Sequence, residues 1–165
     1  MTTIRDCIAP DRNPKVPSIK LPEGSIDTHV HIFESQYPLF EGRGYNPPDS
    51  TLDDLKHLHS QLGVSRVVYT QPSPYGVDNS AILKGMKVMN DETPGRARGV
   101  CAIKMDVSDD FLEDLDKQGI KGVRLNMDNI GGMPIGLDEI PTLEARIKDL
   151  GLSLIHISEP TRQCI

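Results

Sequence analysis

The sequence predicts an α/β protein of repeated βα units, the pattern of either a doubly wound parallel sheet or a (β/α)8 barrel. Three observations carry this prediction. Short apolar runs alternate four times with amphipathic stretches, at unit lengths of about 25–40 residues. The runs lack polar alternation, as parallel strands buried on both faces do. No G-x-G-x-x-G follows the first run, which leaves the dinucleotide-binding version of the doubly wound sheet without support. A complete barrel needs roughly 250 residues, so four units make half of one.

The elements follow in order. Residues 1–24 hold Pro10, Pro14, Pro17 and Pro22 and few apolar residues, and are expected to form an irregular arm. SIDTHVHIF (25–33) is the first strand-like run. In DDLKHLHSQL (53–62), Leu55, Leu58 and Leu62 fall at helical spacing and Gly63 ends the helix, while His57 and His59 take polar positions and are expected to face solvent. SRVVYT (65–70) is the second strand. Asn79–Met89 is a helix with Ile82, Leu83, Met86 and Met89 on one face. GVCAIKM (99–105) is the third strand, and the helix Phe111–Lys117 is opened by Ser108 as N-cap with Asp109 and Asp110 in its first turn. GVRLNM (122–127) is the fourth strand, and Leu137–Leu150 is a fourth helix ended by Gly151.

Composition narrows the function classes. Hydrophobic residues make up 37% and charged residues 25%, as in a soluble globular protein. A net charge of -6 offers no basic field for a nucleic acid or an anionic membrane. Cys7, Cys101 and Cys164 are odd in number and form no C-x-x-C pair, the pattern of reduced thiols in a cytoplasmic protein. No apolar run approaches the ~18 residues of a membrane span, and the first residues hold no signal-like apolar stretch.

The chemistry is concentrated in Asp27-Thr28-His29-Val30-His31. Side chains two apart on a strand point the same way, so His29 and His31 are expected to project together, with Asp27 below them and Ile26, Val30 and Ile32 facing the helices. Two imidazoles fixed on one strand suit a metal ion or the polarisation of a substrate carbonyl. Arg124 sits inside an otherwise apolar strand; such a guanidinium needs an anion, either a substrate carboxylate or an acid on a neighbouring strand.

SIDTHVHIF resembles the first-strand H-x-H signature of the amidohydrolase superfamily. Tyr45-Asn46-Pro47-Pro48, RVVYTQPSPYGVDN (66–79) and GIKGVRLNM (119–127) are similar to its amidohydrolase-related branch, which includes 2-pyrone-4,6-dicarboxylate lactonases and metal-dependent TIM-barrel hydrolases. The resemblance covers about residues 24–151. It implies the N-terminal half of a (β/α)8 TIM barrel, truncated, with the site at the C-terminal ends of its strands. It also implies hydrolysis of a lactone, ester or amide of a small, carboxylate-bearing substrate by activated water. Carried over, His29 and His31 are catalytic residues and candidate ligands of one divalent metal, zinc or manganese, unless the enzyme is metal-independent. Tyr45, Ser73 and Arg124 are substrate-binding, with Arg124 on the carboxylate. The lactonase type carries a further basic residue after the strand-four arginine. Here the stretch is MDNIGGMP, so a substrate with one carboxylate or none is expected. Asp106 and Asp128 are only loop acids, and no acid within the chain is assigned as the general base. Alternatives are a decarboxylase or hydratase of the same superfamily, or a non-catalytic carboxylate-binding fragment.

LSLIHISEPTR (152–162) matches the translation of a transposase sequencing-library adaptor. The expectation is that residues 25–151 are a partial barrel and 152–165 a non-native tail, so that His156 is not counted as a site residue. A partial barrel exposes strand edges, which would allow self-association, and by itself is expected to lack turnover. A small molecule is the expected partner, with neither nucleic acid nor membrane.

Overall fold

Buried parallel strands need cover on both faces, and the four βα repeats supply helices to one of them. In the computed structural model, which describes residues 4–126 and 135–157, those repeats form one parallel sheet. Strand β1 (Arg5–Asp6) lies in the arm, β2 is Ile26–Val30 and β3 is Tyr45–Asn46. Then come α1 (Leu52–Leu62), β4 (Arg66–Thr70), α2 (Ser80–Glu92), β5 (Ala97–Cys101), α3 (Asp109–Lys117), β6 (Ile120–Asn126), α4 (Ile140–Lys148) and β7 (Ser153–Ile157). The sheet order is β2-β4-β5-β6-β7, parallel throughout and identical to chain order, which is the opening half of a (β/α) barrel. No helix among the described residues is long and apolar enough to cross a membrane.

Local chemistry sets the element ends. Thr51 and Asp54 form a reciprocal capping box at the start of α1, and Gly63 closes it in the left-handed region at φ 79°. Ser108 caps α3 by accepting from the Phe111 N–H. The helix-side core gathers Val67 and Tyr69 of β4, Met86 and Met89 of α2, Leu112 and Leu115 of α3, and Leu143 and Ile147 of α4.

Several expectations are corrected. The third strand is Ala97–Cys101 rather than 99–105, because the Asn79 side chain takes over both backbone groups of Ala102 and ends the ladder (Ala102 N–H to Oδ1 2.9 Å, Nδ2 to Ala102 O 2.8 Å). The fourth helix starts as a 3-10 turn, Leu137–Glu139, because Pro141 cannot continue an α-helix back through it. The arm is not wholly irregular: β1 pairs parallel with β3, Arg5 beside Tyr45. Ile26, at the rim of β2, is exposed. Cys101 is a free, buried thiol. Asp128, Cys164 and the stretches 127–134 and 158–165 lie outside the described residues. Ser153–Ile157, within the stretch expected to be non-native, pairs with β6 from Gly122↔Ser153 to Asn126↔Ile157.

Candidate active site

The strand that carries both histidines is bulged. Asp27 pairs with Val67 and Val30 with Tyr69, so Thr28 and His29 together oppose the single residue Val68. The extra residue breaks the two-residue alternation. Asp27 is therefore not beneath the imidazoles; it turns to α1, where its Oδ2 accepts from His59 Nε2 at 3.2 Å and its Oδ1 from the His29 backbone N–H at 3.2 Å. His59 is not solvent-facing either. It is 1% exposed, and Leu58 takes the outer position instead. Burial lowers the His59 pKa, with Asp27 opposing the shift, so a neutral imidazole donates to the carboxylate.

Beyond the bulge, the His29 and His31 rings meet edge to face, 5.1 Å between centroids at 79°. His31 Nδ1 lies 2.8 Å from the Thr70 carbonyl at the end of β4. A carbonyl only accepts, so Nδ1 carries the proton and Nε2 keeps its lone pair. Burial pulls the His31 pKa down to about 4, aided by the charges of Arg124 and His29 against the Thr70 bond. At neutral pH this ring accepts at Nε2. It can hold a water or a cation, but it cannot polarise a carbonyl as a donor. His29, more exposed, is also held below its ordinary pKa, by burial first and then by Arg124.

Arg124 on β6 is 4% exposed. Its Nη1 donates to the Gln71 carbonyl at 2.6 Å, and its Nε is buried without a partner. Among the described residues no acid neutralises it; burial lowers its pKa and only Tyr45 works the other way. The alternative of a neighbouring-strand salt bridge thus finds no partner there. Gln71 ties the arginine to the loop after β4: its Nε2 donates to Gly76 O (3.0 Å) and Asp78 O (2.8 Å), closing a loop whose first turn is Ser73–Tyr75. Ser73 interacts with the Tyr45 hydroxyl, and burial keeps that phenol protonated.

The five residues singled out from the sequence thus come together. Arg124 acts electrostatically on His29, His31 and Tyr45, and Tyr45 meets Ser73. His29, His31, Phe33 and Tyr45 line a cavity of about 280 Å³ whose far wall is Ile8 and Pro10 of the arm, near the small end of ligand sites. The sequence does not point to Gln71, His59 or the arm as parts of the site. A glutamine directly after an apolar strand was the available signal for Gln71; the other two depend on tertiary contacts.

Catalytic zinc usually takes three protein ligands. His29 and His31 are two donors, and among the described residues no group of three or more His, Cys, Asp or Glu could hold a metal ion. These residues alone do not make up a metal site.

An amidohydrolase family model matches residues 26–163. The chain is 34% identical over 145 residues to a 2-pyrone-4,6-dicarboxylate hydrolase of Comamonas testosteroni, covering 87% of this chain and 46% of the relative. It is 34% identical over 120 residues to a 4-sulfomuconolactone hydrolase of Hydrogenophaga intermedia, covering 72% of this chain and 38% of the relative. Among solved structures, a probable 2-pyrone-4,6-dicarboxylic acid hydrolase from Acinetobacter baumannii with citric acid bound superposes with a TM-score of 0.70 at 25% identity, over 81% of this chain and 49% of that one. The chain spans about half the length of the relatives it matches or less.

Proposed function

Because the chain belongs to the amidohydrolase family, we propose that it is the substrate-gripping half of a hydrolase that opens a small carboxylate-bearing lactone or ester with activated water. The observation that carries this reading is Arg124, a buried guanidinium with no acid partner among the described residues, whose charge acts on the neutral imidazole of His31. Burying a cation without a counter-charge costs several kcal/mol, and a ligand carboxylate would offset that cost on binding. The lactone-opening and carboxylate-bearing names of the relatives agree with such a ligand.

In this reading Arg124 holds the carboxylate and fixes the reacting carbonyl relative to β2. The Tyr45 hydroxyl, kept protonated by burial and steadied by Ser73, donates to a substrate oxygen. His31, fixed by Thr70, presents Nε2 as an acceptor that orients the attacking water. Water adds to the carbonyl carbon and the acyl C–O bond breaks; one water proton passes to the departing alkoxide and the other is released to solvent, leaving a carboxylate and an alcohol.

The test is a chimera in which the remaining barrel units come from the Comamonas testosteroni relative. It should hydrolyse carboxylate-bearing lactones, with kcat/KM lowered at least about a hundredfold by His31→Ala or Arg124→Gln. The 165-residue chain alone should show no turnover. Activity of the chimera that is indifferent to Arg124→Gln would overturn the reading.

A further inference from the structure

We propose that the N-terminal arm is a working wall of this site, and that Ile8 and Pro10 select carboxylates carrying an apolar body. The proposal rests on the reading of Arg124 as the anion anchor and adds the chemistry of the opposite side.

The arm is tied down on both sides of this stretch. Upstream, β1 pairs with β3, the Cys7 N–H donates to Asn46 O at 3.0 Å, and Asn46 Nδ2 donates to Asp6 Oδ1 at 2.9 Å. Downstream, Arg12 Nε donates to Asp54 Oδ1 at 3.0 Å and its Nη2 to Asp49 O at 3.1 Å, fastening the arm to the start of α1. Residues 8–10 are thus slung between two anchors, over the cavity that His29, His31 and Tyr45 line.

A single exposed aliphatic side chain needs no explanation. Ile8 differs because it is 78% exposed while held, by the anchors on either side, at the rim of an open cavity that two imidazoles also line. Phe33, Pro47 and Pro48 continue the apolar lining. Arg124 lies behind this lining, buried, and its charge acts on three of the residues that form it, His29, His31 and Tyr45. A cavity apolar along the arm, with a guanidinium behind its imidazoles, fits a ligand with one carboxylate and a ring or alkyl body. Part of the isoleucine surface would leave water when that body binds, which corresponds to about tenfold in affinity.

The test titrates the full chain with acetate and with benzoate at constant ionic strength, followed by amide chemical shifts. Benzoate should bind about tenfold more tightly than acetate. Ile8→Ser and Pro10→Gly, both at exposed positions, should remove that advantage and leave acetate unchanged, Ile8→Val should keep most of it, and Arg124→Gln should weaken both ligands. If acetate binding depends on Arg124 but benzoate has no advantage, or keeps it in Ile8→Ser and Pro10→Gly, the arm is not a wall and only this proposal falls. If neither carboxylate binds the wild-type chain, the reading of Arg124 falls and takes this one with it.

Discussion

His59 on α1 and Asp27 on β2 meet at 3.2 Å beneath the bulge, with the histidine almost fully buried. The same carboxylate holds the His29 backbone N–H through its other oxygen. One aspartate therefore fastens the first helix to the first barrel strand and stabilises the extra residue that places His29 and His31.

The pair should behave as a coupled unit. Asp27→Ala leaves the buried His59 ring N–H unmet, and His59→Ala empties a buried site beneath α1, so each should destabilise the chain by about 2–4 kcal/mol. Their coupling in a double-mutant cycle should be about 1–2 kcal/mol, measured by urea denaturation. Strict additivity would show that the two side chains do not support one another.

A second prediction follows from His31. Its folded-state pKa of about 4 lies below the ordinary 6.5, so between these values the unfolded chain binds a proton that the folded chain refuses. Stability from this group is fully present above pH 6.5, declines as the pH falls, and is lost by about pH 4. The complete shift corresponds to at most roughly 3 kcal/mol. Urea midpoints from pH 7 to pH 4 should show a shallower decline in His31→Gln than in the wild type. Parallel curves would sink this assignment, since His29 and His59 shift in the same direction and remain in both chains.

Arg124 should trade stability for binding. Replacing even a buried ion pair with apolar side chains of similar volume is often neutral or stabilising, by about 1–4 kcal/mol, and a buried cation without a counter-charge lacks the pair's attraction as well. Arg124→Met should thus raise the urea midpoint while abolishing acetate and benzoate binding. A lower midpoint with binding retained would mean that the bond to the Gln71 carbonyl is its main role.

Gly99 marks where α2 closes on the sheet. A Cβ there would press on Met86 and lie 2.7 Å from Ile120 Cδ1. Gly99→Ala should cost about 1–3 kcal/mol through overpacking. Together with Met86→Ala it should cost less than the sum of the two, because the second change makes room for the first. Calorimetric melting of the four chains provides the readout.

Much of this fold is legible in the sequence, because buried parallel strands and amphipathic helices write their periods directly into residues 25–151. Arg124 is legible for a related reason: a charge in an apolar strand stands out. The bulge is not, since Asp27, His29 and His31 keep a perfect two-residue spacing and only the register against Val67 and Tyr69 reveals the extra residue. His59 shares its helix face with Leu55 and Leu62 as well as Leu58 does, and the tie is broken by Asp27 from another element. The end of the third strand is not legible in its own residues, because Asn79, distant in sequence, supplies the hydrogen bonds that stop it. The arm's pairing with Tyr45–Asn46 is two residues of backbone with no pattern to announce it.

The identity of sheet order and chain order bears on how the protein is made. Within the five-stranded sheet each strand pairs with the sheet strand synthesised before it, with partners about 20 to 40 residues apart. Loop-closure entropy is paid in small, nearly equal instalments, and no pairing has to wait for a distant segment. A chain leaving the ribosome can therefore add one βα unit at a time to a template that already exists. The growing edge is the exposed one throughout, so the risk of pairing with a stranger falls on whichever strand was completed last.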